Sequence, residues 1–277
     1  MTDGRSYPEG VPCWVDTEQQ PDVDAAGYFY ANLFGWTFSD AVPADAPGKY
    51  LIASLGGADV AAIGPAQGDM PVEWNTYIAA ADADAAAASV CAAGGTVTLE
   101  PVDAGPGGRL AGCVDPQGAR FRLWQPRRRL GAQLTNAPGS RNFSDLHTGD
   151  AEAAARFYKP LFGWEFDDLG FATMIRRPGY GDHLAATVDP GIRERQESIS
   201  APPGFADAIA WLAPLTSGQD QWHVTFSVAS RDDSAATAEK LGAVVISSED
   251  TEWTRAAVIR DPQGAELTLS QFTPPSP

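Results

Sequence analysis

Residues 29–36 read FYANLFGW, and a close copy of this stretch, FYKPLFGW, stands at residues 157–164. A second stretch, DPQGA at residues 115–119, recurs without change at residues 261–265. Matches of this kind, repeated in the same order, indicate an internal repeat, and an internal repeat decides the architecture of a chain.

A third match lies between these two and fixes the limits of the copies. The segment that begins at Trp74 (WNTYIAAADADAAAASVCAAGGTV) corresponds to the segment that begins at Trp222 (WHVTFSVASRDDSAATAEKLGAVV). We therefore predict a first domain at residues 10–126 and a second at residues 141–273. Residues 127–140, which contain an Arg triplet and an Asn-Ala-Pro-Gly-Ser run, read as the linker.

Length and charge are consistent with this division and exclude some classes of partner. The chain has 277 residues, enough for about two domains of ~150 residues. Its 36 acidic residues outnumber its 19 basic ones, which gives a formal charge of −17. Because a basic surface supplies most of the affinity for phosphate backbones and anionic lipids, we expect neither nucleic acid nor membrane as a partner.

The cysteines and the apolar segments indicate a cytoplasmic protein. Residues 1–10 lack the apolar core of a signal peptide, and the Ala-rich run at 79–93 is too short and too polar to span a membrane. Cys13, Cys91 and Cys113 form no CxxC pair, so the sequence predicts neither a disulfide framework nor a zinc site.

Each copy contains a smaller repeated unit, most easily seen in the second copy. The alternation at residues 143–147 predicts a strand, Asp150 is a predicted N-cap, and Gly163 follows the end of the helix. Asp232 opens the next predicted helix. Further strands are predicted at residues 172–175, 184–188, 222–228, 244–247, 256–259 and 266–270. The resulting order is β-α-β-β-β, twice in each copy.

An insertion distinguishes the second copy from the first. Most of it falls between Asp189 and Trp211, in a stretch rich in Pro and Gly. Such a segment beside a cavity is a candidate lid, and an inert surface loop is the alternative.

These motifs together resemble the vicinal oxygen chelate superfamily, which includes glyoxalases, bleomycin-resistance proteins and extradiol dioxygenases. The resemblance rests on the FY…LFGW, W-x-strand-D-x-x-A and DPQGA elements, and it covers nearly the whole chain. It implies an α+β fold of tandem glyoxalase-like domains, in which four βαβββ modules form two half-open mixed β-sheet barrels, each around a cavity.

Metalloenzymes of this superfamily place ligands on the first and last strands of their modules. Carried onto this sequence, these positions fall on Trp14, Asn75 and Arg122 in the first copy, on Phe143, His223 and Thr268 in the second, and within residues 60–63 and 184–186. Only His223 is a ligand type, and an Arg opposes a cation. We therefore expect no metal and no other cofactor.

The period of two in a strand identifies the other side chains that face the cavities. In the second copy the inward residues are Phe143, Asp145, His147, His223, Thr225, Ser227, Glu266, Thr268 and Ser270, with His183 at the rim. In the first copy they are Trp14, Asp16, Asn75, Tyr77, Arg120, Arg122 and Trp124.

The second set suits acid–base catalysis, because an imidazole near a carboxylate titrates close to neutrality. Asp145, His147 and His223 are the candidate catalytic residues, and a structural hydrogen-bond network is the alternative. The first set suits a flat apolar ligand with a few polar groups, and core packing is the alternative for its Trp residues.

Function is thus predicted as a metal-independent enzyme of specialised metabolism. It would act on an apolar, aromatic small molecule by cyclisation, dehydration or isomerisation. Two alternatives stay open, namely a resistance protein that sequesters a toxic metabolite and a metal-dependent lyase or dioxygenase. We expect a monomer, with a homodimer as the alternative.

Overall fold

The structure is a computed structural model. It describes residues 5–19, 22–43, 47–66, 71–170, 172–199, 201–215 and 218–273. Among these residues, no helix has both the length and the apolar character needed to cross a membrane.

The first copy folds as two β-α-β-β-β modules in succession. Its elements are β1 (Pro12–Gln19), α1 (Val23–Phe34), β2 (Thr37–Asp40), β3 (Leu51–Leu55), β4 (Ala58–Pro65), β5 (Trp74–Ala79), α2 (Ala83–Ala92), β6 (Thr96–Ala104), β7 (Gly108–Val114) and β8 (Arg120–Pro126).

The second copy repeats this order and adds helices between its third and fourth strands. Its elements are β9 (Arg141–Thr148), α3 (Ala151–Phe162), β10 (Glu165–Asp168), β11 (Thr173–Arg176), α4 (Tyr180–Ala186), α5 (Ile192–Ser198), a 3-10 turn (Phe205–Asp207), β12 (Ala208–Pro214), β13 (Gln221–Ser227), α6 (Arg231–Lys240), β14 (Val244–Asp250), β15 (Thr254–Arg260) and β16 (Glu266–Phe272).

The strands form two open eight-stranded mixed sheets, which confirms the predicted fold class. Their orders are β2-β3-β4-β1-β5-β8-β7-β6 and β10-β11-β12-β9-β13-β16-β15-β14. The pairs β1–β4, β5–β8, β12–β9 and β13–β16 are parallel, and the outer hairpins are antiparallel.

Local sequence signals explain both ends of α3 and the start of α6. Asp150 caps α3 as predicted, since its side chain accepts a hydrogen bond from the Ala153 amide, and Gly163 ends the helix at φ 68°. The predicted start of α6 at Asp232 is wrong, because the helix begins at Arg231 and Ser230 is its cap. Asp232 lies in the first turn, where its negative charge interacts favourably with the helix dipole.

The strand predicted at residues 184–188 is also wrong, because residues 180–186 form helix α4. Tyr180 and Leu184 lie one helical turn apart and are both buried, so the apolar residues of this segment cover a helical face. The fourth strand of the third module is instead β12, at Ala208–Pro214.

Residue contacts divide the chain into two compact units, each built from parts of both copies. Unit 1 comprises residues 1–13, 76–131 and 143–222, and unit 2 comprises residues 14–75, 132–142 and 223–277. The predicted domain limits at 10–126 and 141–273 stay a prediction.

Unit 2 is organised around the first FGW motif. Tyr30, Phe34 and Trp36 pack against Trp74 and Phe226, with ring centroids between 4.9 and 6.3 Å apart. The Trp36 indole donates to the Gly139 carbonyl at 2.7 Å. Contacts of this type are worth about 0.5–1.5 kcal/mol each beyond the burial of area.

Unit 1 repeats this cluster around the second FGW motif. Tyr158, Phe162 and Trp164 pack against one another, and Trp222 meets both Tyr158 and Trp164. The Trp164 indole donates to the Gly10 carbonyl at 2.7 Å. Trp36 and Trp164 therefore anchor the packing of the two aromatic clusters.

Candidate functional site

Strand β9 shows which side chains face away from the aromatic core. Its Ser144, Leu146 and Thr148 are buried, whereas the intervening Phe143, Asp145 and His147 are half-buried. The same alternation divides the buried from the half-buried residues of β8 and β16. On these three strands the residues predicted from period two are thus the half-buried ones, opposite the buried side chains.

In unit 2, Asp16 is the centre of a buried polar group on β1. Its carboxylate, with a residue exposure of 1%, accepts hydrogen bonds from the Tyr50 hydroxyl at 2.8 Å and from the Asn75 amide at 2.9 Å. The Trp14 indole donates to the Tyr50 hydroxyl at 3.3 Å. We call Trp14, Asp16, Tyr50 and Asn75 the Asp16 group.

In unit 1, Arg122 packs on Tyr77. A guanidinium nitrogen donates to the Tyr77 hydroxyl at 2.8 Å, and Cζ lies 5.4 Å from the ring centroid. The Trp124 ring meets the Tyr77 ring edge-on at 6.3 Å, and its indole donates to the Arg129 carbonyl. The arrangement is a half-buried cation held over an aromatic ring.

The β9 face, also in unit 1, combines acid–base groups with aromatic rings. One oxygen of Asp145 accepts a hydrogen bond from the Trp211 backbone amide at 3.0 Å. The Trp211 ring lies 6.4 Å from the Phe143 ring and nearly perpendicular to it. Burial lowers the pKa of His147, because desolvation disfavours the imidazolium. His147 is therefore a neutral imidazole at neutral pH.

His223 lies in unit 2, beside the last strand. Its Nε2 is 2.8 Å from the Thr268 hydroxyl, and the residue is 7% exposed. Thr225, two residues along β13, is paired with Thr268 in the strand register and is also buried. The structure thus brings His223 and Thr268 together.

Two predicted binding residues lie in other settings. His183 is on helix α4 rather than at the start of a strand, and its Nε2 lies 3.0 Å from the Ser6 carbonyl. Glu266 forms a partly exposed ion pair with Arg260 at 2.7 Å.

Two residues were missed by the sequence analysis. Tyr50, which precedes β3, binds the Asp16 carboxylate, and Trp211 of β12 binds Asp145. A correct placement of β12 at Ala208–Pro214 would have found Trp211, since this strand pairs with β9. No pattern in the sequence marks Tyr50.

The residues at the superfamily's ligand positions do not fit a divalent cation. Arg122 has no lone pair to donate and carries a positive charge, and Thr268 offers a neutral hydroxyl where a carboxylate would be needed. The fourth-strand position of the third module lies in β12, which reads AIAWLAP and has no carboxylate. Within the described ranges, no cluster of three or more His, Cys, Asp or Glu residues could hold a metal ion.

Comparison with known sequences gives relatives of the same length. CFP32 of Mycobacterium tuberculosis (strain CDC 1551 / Oshkosh), which carries the provisional name glyoxylase, is 34% identical over 280 residues, covering 99% of this chain and 99% of that protein. The anthracycline biosynthesis protein DauV of Streptomyces sp. (strain C5) is 33% identical over 285 residues, covering 96% and 94%.

Solved structures with the same fold are more distant in sequence. The Mn(II)-bound glyoxalase from Novosphingobium aromaticivorans superposes with a TM-score of 0.59 at 18% identity, covering 95% of this chain and 83% of that one. The 2,3-dioxygenase LapB from Pseudomonas sp. KL28 gives 0.58 at 12% identity, covering 97% and 95%. At these identities the likeness concerns the fold alone.

The family follows from the domain match together with this geometry. Residues 14–124 and again residues 143–270 match the glyoxalase-like domain, so the match covers most of the chain. Both matches contain a complete set of two β-α-β-β-β modules. The chain belongs to the glyoxalase-like domain family of the vicinal oxygen chelate superfamily, as a tandem member with two copies of the domain.

Proposed function

We propose that this chain is a metal-independent enzyme of specialised metabolism that transfers protons on an apolar, aromatic small molecule. The reaction class is a cyclisation, dehydration or isomerisation. Two relatives of nearly full length are named for anthracycline biosynthesis, which supports specialised metabolism. The residues at the ligand positions, among them Arg122 and Thr268, do not suit a divalent cation, which supports a reaction without a metal.

The observation that carries this proposal is the β9 face. His147 is a neutral imidazole there, because burial lowers its pKa, and a neutral imidazole is the form that accepts a proton. Asp145 lies two residues away on the same face, a step of about 6.6 Å along a strand. Its hydrogen bond from the Trp211 amide orients the carboxylate.

These groups suit proton removal followed by proton return. His147 accepts a proton from an acidic carbon or hydroxyl of the substrate, and the electron pair left behind is delocalised over the aromatic system. The imidazolium then returns the proton to another carbon in an isomerisation, or to a departing hydroxyl, which leaves as water, in a dehydration. The Asp145 carboxylate, on the same face of β9, is the proposed counter-charge of the imidazolium. His223, in unit 2, is proposed as a further acid–base residue.

Solvent deuterium exchange tests the proposal without knowledge of the natural substrate. Enolisable aromatic ketones, 1-tetralone and anthrone, are incubated with the protein in D2O, and deuterium uptake is followed by mass spectrometry. We expect catalysed uptake that falls about 10²–10⁴-fold in His147→Gln. Glu252→Gln, which changes an exposed carboxylate, is the control. Uptake at the buffer rate, or full uptake in His147→Gln, would contradict the proposal.

A second function is favoured by the Asp16 group. The Trp14 and Tyr50 rings, held in place by the hydrogen bonds of this group, suit a planar aromatic compound, so a protein that sequesters such a compound is the alternative. Calorimetry with proflavine as the probe tests it. Tight binding without chemical change of the probe, reduced in Trp14→Ala, supports sequestration, and equal binding by Trp14→Ala contradicts it.

A further inference from the structure

The two copies differ most at the connection that precedes the fourth strand of their first modules. In the first copy, β3 and β4 are joined by Gly56 and Gly57, both at positive φ, in a two-residue hairpin. In the second copy, the corresponding strands β11 and β12 are joined by residues 177–207, which contain α4, α5 and the 3-10 turn. We call residues 177–207 the insert.

The insert places an aromatic ring beside the β9 face. Phe205, in the 3-10 turn, lies with its ring centroid 6.1 Å from that of Trp211, at an angle of 38°. Trp211 in turn lies 6.4 Å from Phe143. All three residues are half-buried. Together Phe143, Trp211 and Phe205 form a strip longer than a single six-membered ring, and we call it the aromatic strip.

The position of Phe205 is fixed by close packing within the insert. Helix α4 approaches the 3-10 turn so closely that a Cβ added to Gly181 would stand 2.5 Å from the Cβ of Ala206. The Gly181 amide also donates to the Asp207 carboxylate at 2.7 Å. Gly204, which precedes the turn, adopts φ +76° and packs on the Arg176 side chain. The backbone that carries Phe205 is therefore preorganised before a ligand binds.

The aromatic strip and the acid–base residues belong to one face. Phe143 is on β9 with Asp145 and His147, and the Trp211 backbone holds Asp145. A molecule bound against the strip therefore lies beside groups able to remove a proton. A single ring would contact only part of the strip, whereas a larger fused-ring molecule would contact more of its rings.

We propose that the insert makes the second copy the substrate-binding copy, with Phe205 as the residue that selects planar substrates of two or more fused aromatic rings. This inference rests on the proposed function and names the substrate class of the same site. Phe205 is a specificity-determining residue, since it contributes a wall and no acid–base group.

Equilibrium binding of two probes of different size tests this assignment. The probes are 1,8-dihydroxyanthraquinone, with three fused rings, and catechol, with one, and the dissociation constants are measured by fluorescence or calorimetry. We expect the wild-type protein to bind the anthraquinone at least 10-fold more tightly than catechol. Phe205→Ala should weaken anthraquinone binding about 3- to 10-fold and leave catechol binding almost unchanged.

A matched control exists outside the site. Phe272 stacks on Trp253 at 6.3 Å and is 55% exposed, so Phe272→Ala removes an aromatic partner of a Trp elsewhere in the chain. It should leave both dissociation constants unchanged. Phe205→Leu keeps apolar volume without a ring, and it should also weaken anthraquinone binding if the ring itself is recognised. This variant serves as well if Phe205→Ala folds poorly.

The outcomes separate this inference from the proposed function, because probe binding needs no turnover. The inference is overturned if the wild-type protein binds neither probe, if folded Phe205 variants bind the anthraquinone as the wild type does, or if Phe272→Ala weakens binding equally. If His147→Gln loses deuterium uptake and Phe205→Ala binds the anthraquinone normally, the proposed function is supported and the role of Phe205 is rejected. Weakened binding in Phe205→Ala with full uptake in His147→Gln supports the strip and rejects the acid–base role.

Discussion

The Tyr30 hydroxyl donates a hydrogen bond to the Asp261 carboxylate at 2.7 Å, and both residues are buried. Tyr30 belongs to the first FYxxLFGW motif and Asp261 to the second DPQGA motif. Unit 1 has the same arrangement, in which Tyr158 donates to Asp115 at 3.0 Å. The motifs by which the family is recognised are therefore structural partners of one another, and none of the proposed catalytic residues belongs to them.

Replacing Tyr30 by Phe tests this role. Burial raises the pKa of Tyr30 well above its usual value, so the hydroxyl stays protonated and donates. It also accepts a hydrogen bond from the Trp74 indole at 3.1 Å. Tyr30→Phe leaves buried polar groups unsatisfied, and we expect it to lower the free energy of unfolding by about 1–3 kcal/mol in urea titrations. Tyr28→Phe, on the same helix and 67% exposed, should have no effect. Equal stability of the two variants would disprove the structural role.

The pH dependence of deuterium exchange tests His147. Because its pKa is lowered from the usual 6.5, the neutral base persists to more acidic pH than a free imidazole would. We expect the acid limb of kcat/KM to be centred below pH 6.5, and this limb should disappear from the residual activity of His147→Gln. The stability that comes from keeping the imidazole neutral is present above pH 6.5 and is lost as pH falls through the lowered pKa. An acid limb centred above pH 6.5 would contradict the assignment.

A substitution at Gly181 tests how the insert holds Phe205. Gly→Ala inside a helix ordinarily stabilises a protein by about 0.5–1 kcal/mol. At Gly181 we expect the opposite sign, a loss of about 1–3 kcal/mol, because the new methyl group would overlap Ala206. Gly27→Ala in α1, where the nearest atoms are at ordinary contact distance, is the matched control and should not destabilise. Gly181→Ala should also weaken anthraquinone binding. A stabilised Gly181→Ala variant would contradict the prediction, because it would show that helix α4 and the 3-10 turn can move apart without cost.

Removal of metal ions tests the chemistry of the ligand positions. Since Arg122 and Thr268 occupy places where a carboxylate would bind a cation, we expect dialysis against EDTA to change neither the melting temperature nor the rate of deuterium exchange. Readdition of Mn²⁺, Zn²⁺ or Fe²⁺ should likewise have no effect. Activity that is lost on dialysis and restored by one of these ions would reject the metal-independent reaction.

The fold could be predicted because its signals are local and repeated. Asp150 and Gly163 mark the ends of α3 by their own backbone geometry. The alternation in β9 identifies Phe143, Asp145 and His147 as one face, because a strand with one buried face leaves no other register.

The insert and part of the site could not be predicted, because tertiary contacts decide them. Residues 184–188 fit a strand as well as a helix in sequence, and the burial of Tyr180 with Leu184 on one helical face selects the helix. Because the fourth strand of the third module was predicted at residues 184–188 instead of at β12, Trp211 was not identified as a neighbour of Asp145. Tyr50 precedes its strand, where no periodicity applies, and only the folded chain brings it to Asp16.

The pairing of motifs from opposite ends of the sequence also determines how the protein responds to dilution. If the two copies were separate polypeptides, the hydrogen bond between Tyr30 and Asp261 would form only when two molecules associate. The fraction of molecules that contain this bond would then fall as the protein is diluted. Within one chain the partners meet at an effective concentration set by the connecting residues. The stability of this core should therefore be the same at nanomolar and at micromolar protein.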